Sequence, residues 1–190
     1  ESYSSKISKV VRFLKNNKTD YCFISAPENV NWLLNIRGYD NPNSPIANAR
    51  LILNKKKELF LIANENNLKN LLLNKKIKKK QILLINSLPK FLDNLKGKNF
   101  IIDDKTCSIF YEKIIKSKFN ILKFDDPVYE LKSIKSSSEI KYMIEAHKKD
   151  GLALTRFIYW IKNVNKKKIT EVYAQNKLEK FRKLNKDYLF

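Results

Sequence analysis

Apolar and polar residues alternate along the first two thirds of the chain in a way that spells out strands and helices in turn. Ile7, Val10, Val11, Phe13 and Leu14 keep helical spacing after Ser4 or Ser5 as a cap, which predicts a first helix. Tyr21–Ile24 is a short apolar run, the signature of a buried strand. The cluster Trp32, Leu33, Leu34 and Ile36 ends abruptly at Arg37-Gly38. It fits a short buried helix, with Trp32 in the core and Gly38 supplying a turn with φ > 0. Residues 49–53 and 58–63 are two apolar runs parted by Asn54-Lys55-Lys56-Lys57, a predicted hairpin. A helix is expected over Leu68–Leu73 and a strand over Ile82–Ile85. Ser87 should cap a helix through Phe91 and Leu95, with Pro89 in its first turn. A strand at Phe100–Asp103, a helix at Cys107–Ile115 and a last, edge strand at Phe119–Phe124 complete the pattern. Strands alternating with short helices predict an α/β domain with a mixed sheet over residues 1–125.

Asp125-Asp126-Pro127 breaks this rhythm and marks the expected domain boundary. The rest, 126–190, reads as helical. Asp126-Pro127 starts one helix, and Ser136 with Glu139 has the spacing of a capping box for a second. Apolar positions from Ile140 to Ile161 then run for many turns, and Thr170 caps a further amphipathic helix through Val172, Tyr173, Leu178 and Phe181.

Composition narrows the function classes. The 190 residues carry 39 Lys+Arg against 19 Asp+Glu, a net charge of +20, which invites a nucleic-acid reading. Nearly all of the excess is Lys, spread along the whole chain. Arg, the usual base-reading residue, is scarce. The densest group, Lys75–Lys80, reads as a solvated connection, so no specific nucleic-acid partner is expected. Three glycines, with no G-x-x-x-x-G-K-[ST] and no G-x-G-x-x-G, argue against a glycine-rich phosphate loop. No apolar run approaches the length that spans a bilayer. Cys22 and Cys107 lie far apart on apolar segments and read as buried, reduced thiols, which points to the cytoplasm. The chain opens on Glu1 without a leader pattern, and the expectation is a piece of a longer polypeptide.

Three blocks carry a family resemblance. Asn29–Ile46 (N-V-N-W-L-L-N-I-R-G-Y-D-N-P-N-S-P-I) resembles the A-W-L-L-N-I-R-G-x-D-x-x-x-x-P-[VI] segment of the three-domain Xaa-Pro aminopeptidases, metallopeptidases of pita-bread fold. Asp126–Leu154, with S-S-S-E-I-K-Y-M-I-E-A-H-K-K-D-G-L-A-L at its heart, is similar to that family's linker and first catalytic-domain helix. Ile169-Thr170-Glu171 followed by Leu178–Arg182 resembles the next helix. Asn31 departs from the family's usual Ala, and Ile144-Glu145 from its arginine-bearing pair.

The resemblance implies a creatinase N-terminal-like domain, a mixed β-sheet flanked by helices, followed by the first helices of a truncated pita-bread domain. It implies that the parent removes the N-terminal residue preceding proline from peptides. It further implies that the parent uses two divalent metals, manganese as a rule, and works as a cytoplasmic homodimer. The metal ligands of that family fall beyond Phe190, so this chain is expected to hold no metal and to be inactive alone. The competing readings are a non-catalytic, protein-binding relative of the same fold and a basic nucleic-acid-binding module.

Two residues stand out as substrate-cleft candidates. Arg37, on the loop after an apolar helix, could meet a peptide carboxylate bidentately, or instead hold its own loop to Asp40. His147, the only histidine, falls in the family's A-H-x-x-D-G block. It reads as a group beside the active site, or as a packed, hydrogen-bonded side chain. Asp103-Asp104 is the nearest approach to paired carboxylates and reads as turn and helix-cap chemistry.

Overall fold

The computed structural model describes residues 1–68, 77–165 and 169–188. The helix expected over Leu68–Leu73 lies largely outside them. The chain forms two compact units, Glu1–Ile134 and Lys135–Phe190.

The first unit is a six-stranded mixed sheet with helices on both faces. Its elements are α1 (Tyr3–Asn16), β1 (Tyr21–Ile24), α2 (Pro27–Leu34), β2 (Arg50–Asn54), β3 (Leu59–Ile62), β4 (Ile82–Leu83), α3 (Leu88–Asp93), β5 (Asn99–Ile102), α4 (Ile109–Lys116), β6 (Asn120–Lys123) and α5 (Pro127–Ser133). The strand order is β4-β3-β2-β1-β5-β6, with β6 at the edge as the pattern predicts. β1 is central: antiparallel to β2, with Tyr21 opposite Asn54, and parallel to β5, with Cys22 opposite Ile101. The β2–β3 hairpin forms as expected.

Side-chain alternation along each strand feeds two cores. Cys22, Ile24, Leu51, Leu53, Leu61 and Ile101 face α1, α2 and Val128 of α5. Tyr21, Phe23, Ile52, Ile62, Phe100 and Ile102 face Leu88 and Leu92 of α3 and Ile115 of α4. Both cysteines are free and buried. Burial pushes the Cys22 thiol well up and that of Cys107 to about 11, so both stay protonated and unreactive.

Several details differ from the pattern. The cap of α1 is Ser2, whose Oγ accepts from the Ser5 amide at 3.2 Å. Ser87 sits at the start of α3, but its hydroxyl donates to the Leu84 carbonyl at 2.7 Å instead of capping. The first unit continues past the break expected at Asp125. Asp126 caps α5 by accepting from the Val128 amide, and Val128 is fully buried on the core of the first unit.

The second unit is a helix pair, α6 (Ser137–Asn163) and α7 (Glu171–Arg182). Ser136 and Glu139 form the predicted capping box, and Thr170 accepts from the Tyr173 amide. The pair is joined by Arg182, whose Nε and Nη2 donate to the two carboxylate oxygens of Asp150 at 2.7 and 3.3 Å. Trp160 of α6 meets Tyr173 of α7, ring centroids 5.9 Å apart. Much of the apolar surface of α6, including Ile140, Met143, Ile144 and Leu152, is exposed within this unit. Among the described residues no helix is long and apolar enough to cross a membrane.

Candidate functional site

The loop after α2 is the most built feature of the first unit. α2 ends on Asn35, which takes the left-handed conformation (φ 51°, ψ 43°). Asn tolerates that region better than other residues with a Cβ. Gly38 does not: its φ lies outside the left-handed range, contrary to expectation. The glycine is needed there for closeness, because a Cβ would sit 2.6 Å from the Ala47 Cα.

Asn31 holds that approach. It is 6% exposed. Its Oδ1 accepts from the Ala47 amide at 2.9 Å, and its Nδ2 donates to the Ala47 carbonyl at 2.7 Å and to the Pro27 carbonyl. One side chain thus pairs with both backbone groups of Ala47 and ties the far end of the loop to α2. Between the anchors, the Gly38 amide donates to the Pro45 carbonyl, and the Asn48 amide to Asp40 Oδ2.

Arg37 is exposed on this loop and makes no hydrogen bond or ion pair among the described residues. Asp40 is engaged by Asn48, so Arg37 is not the group that holds the loop. Trp32, expected in the core, is only partly buried. Its ring lies 3.8 Å below the ammonium of Lys6.

His147 lies on α6 in the second unit, exposed, its Nδ1 donating to the Met143 carbonyl one turn back at 2.8 Å. It lines an open apolar groove with Ile140, Met143 and Ile144. Arg37 and His147 therefore belong to different compact units.

A buried polar junction sits at the ends of the parallel strands. Asp103 Oδ1 accepts from the Lys105 amide, the expected turn, while Oδ2 accepts from the Asp126 amide at 3.3 Å. Asp126 Oδ2 accepts from Asn29 Nδ2 at 2.7 Å, and Asn29 Oδ1 accepts from Lys132 at 2.7 Å. Burial raises the Asp126 carboxyl above its ordinary value, opposed by the bonds from Asn29 and Val128. No buried side-chain polar atom among the described residues lacks a partner. This junction docks α5 on α2; it is structural. Sequence reading missed Asn29 and Asn31, although two asparagines on the buried side of an apolar helix signal that partners must be supplied.

Among the described residues no three of His, Cys, Asp and Glu come together as a metal-ligand set. The side chains present do not fit a two-metal centre, and no chemical step is assigned to metal on them.

A mixed sheet with a parallel β1–β5–β6 half, helices on both faces and a clamped loop after the second helix defines an α/β domain of mixed-sheet type. Residues 1–139 match the model of the Creatinase/Prolidase N-terminal domain, and the chain belongs to that family. Xaa-Pro aminopeptidase 1 of Dictyostelium discoideum is 26% identical over 98% of this chain and 30% of its own length. A probable Xaa-Pro aminopeptidase P of Laccaria bicolor is 24% identical over 96% of this chain and 29% of its own. The chain thus spans about a third of the length of these relatives. The crystal structure of an X-prolyl aminopeptidase from Caenorhabditis elegans, described as cytosolic with a di-nuclear active site, superposes with TM-score 0.82 at 21% identity. That match covers all of this chain and 32% of the enzyme. An Xaa-Pro dipeptidase from Bacillus anthracis superposes with TM-score 0.71 at 16% identity, over 96% of this chain and 49% of its own. These superpositions establish the fold.

Proposed function

We propose that this chain is the substrate-side portion of an Xaa-Pro aminopeptidase, which removes the N-terminal residue preceding proline from peptides. The observation that carries this is the breadth of the likeness. The D. discoideum aminopeptidase aligns with 98% of the chain, through both the sheet unit and the helix pair. The two divalent metals, manganese on this reading, are held by residues other than those described here, and the 190 residues alone do not catalyse. The whole enzyme is a cytoplasmic homodimer. Neither a nucleic-acid role nor a purely binding role gains support from the relatives named.

In this reading Arg37 meets the peptide. Its guanidinium is exposed, without a partner among the described residues and mounted on a clamped loop, so it can engage a peptide carboxylate by two parallel hydrogen bonds. His147, exposed on α6, is the substrate-side candidate of the second unit. The creatinase-like domain is the unit Glu1–Ile134, and the unit Lys135–Phe190 supplies the first catalytic helices.

Arg37→Ala should change the stability of the chain by no more than about 1 kcal/mol, as for other exposed sites. In the full-length enzyme that carries this chain it should raise KM for an Xaa-Pro peptide about tenfold. That is the scale of one lost charge-assisted hydrogen bond, about 1.5–3 kcal/mol. Denaturant titration of the chain and steady-state kinetics of the enzyme measure the two. Unchanged kcat/KM would remove Arg37 from the cleft.

A further inference from the structure

Lys6 is a lysine where a lysine should be costly. It lies on α1 and is 4% exposed. A buried ammonium is tolerated only when hydrogen bonds and charge compensate its lost hydration. Here Nζ donates to the Trp32 carbonyl at 2.8 Å and to Asn35 Oδ1 at 2.7 Å, and stands 3.8 Å from the centre of the Trp32 ring. All of these acceptors are at the C-terminal end of α2, where the helix dipole also favours a cation. Asn35 is the residue held left-handed, and its Nδ2 donates to the Glu1 carbonyl at 3.0 Å. The same Asn35 is two residues before Arg37.

We propose that Lys6 is a positioning residue for Arg37: its ammonium fixes the left-handed turn at Asn35 from which the Arg37 loop departs. Asn31 fixes the other end through Ala47, so the loop is formed before any ligand arrives. This rests on the reading of Arg37 as the peptide-facing group. A methionine would fill the site of Lys6 without the desolvation cost, but it would remove the ammonium that bonds to Asn35 Oδ1. Preorganisation is what such an anchor supplies, since a guanidinium already held in place loses less freedom on binding.

The test is ¹⁵N relaxation of the 190-residue chain as wild type, Lys6→Met and Asn35→Asp. Wild-type amides from residue 36 to 49 should be as ordered as the sheet, with S² about 0.85, and should fall below about 0.6 in Lys6→Met. Asn35→Asp keeps an acceptor for Lys6 and should keep the loop ordered. Amides of β2 and β5 should be unchanged in both variants. Should Lys6→Met fail to fold, Asn35→Ser is read instead. It shortens the acceptor out of reach and leaves the ammonium on the Trp32 carbonyl. A loop still ordered in the variant that folds, or a loosening shared equally by loop and sheet, overturns the proposal.

The enzyme supplies a second arm. Lys6→Met combined with Arg37→Ala should lose no more kcat/KM than Arg37→Ala alone, because both act through one guanidinium. Additive losses overturn the proposal. If Arg37→Ala leaves turnover intact while Lys6→Met still loosens the loop, the cleft reading of Arg37 fails and the anchor stands. If the loop stays rigid in Lys6→Met while Arg37→Ala is impaired, the anchor fails and the cleft reading stands.

Discussion

Phe100→Ala should destabilise the chain by about 3–5 kcal/mol, the range for a buried aromatic truncated to alanine. Phe100 is fully buried on β5, its ring stacked on Tyr21 at 5.1 Å and edge-on to Phe119 at 5.3 Å. β5 pairs with both β1 and β6, so the cavity opens in the middle of the sheet and its walls cannot collapse onto it. Against a typical stability of about 5–15 kcal/mol the loss is large. At about 2–4 °C per kcal/mol for a chain of this size, the melting temperature should fall by about 10 °C. Phe110→Ala is the control, because that ring is 54% exposed at the start of α4 and should cost little. Thermal melts of both variants decide it; equal shifts would place the core elsewhere.

Gly38→Ala is the second large effect, for a different reason. The added Cβ would lie 2.6 Å from both the Cα and the Cβ of Ala47 and 2.9 Å from its amide nitrogen. Ala47 cannot retreat without breaking its two bonds to Asn31, which would leave the buried Oδ1 of Asn31 without its donor. Overpacking costs about 1–3 kcal/mol, and an unsatisfied buried group about 1–3 kcal/mol more. The expected loss is about 3 kcal/mol by urea unfolding, with the Arg37 loop the first segment to exchange its amides. A loss under about 0.5 kcal/mol, the ordinary range for a surface change, would mean that the loop is not clamped.

Gly38 also marks the limit of what the sequence discloses. The hairpin at Asn54–Lys57 and the caps at Asp126, Ser136 and Thr170 were legible, because each depends on neighbours in the chain. The glycine was legible as a constraint but not as this one. The left-handed residue is Asn35, and Gly38 answers to Ala47, a contact that local rules do not reach. Trp32 failed similarly: its apolar neighbours pointed to the core, yet its ring is where Lys6 of another helix lies.

The candidate site was half legible. Arg37 was found from its place in a motif. Asn31 was noted as a departure from the family's alanine without consequence, and Lys6 was read as one charge among many. Their roles come from contacts sixteen and about thirty residues away in sequence. Asp126-Pro127 is a strong local break, but local rules do not show that the Asp126 carboxylate also accepts from Asn29 or that α5 packs on the core of the first unit.

The account is tested most directly by peptide hydrolysis. The polypeptide encoded by the full reading frame in which these residues lie is incubated with an Ala-Pro-type peptide and Mn²⁺, before and after chelation. The 190-residue chain is assayed beside it. The account predicts metal-dependent release of alanine by the full polypeptide, loss of that activity with chelator, and no release above the buffer blank by the 190 residues. Metal-dependent turnover by the 190-residue chain alone, or no release by the full polypeptide with any divalent metal, would contradict it.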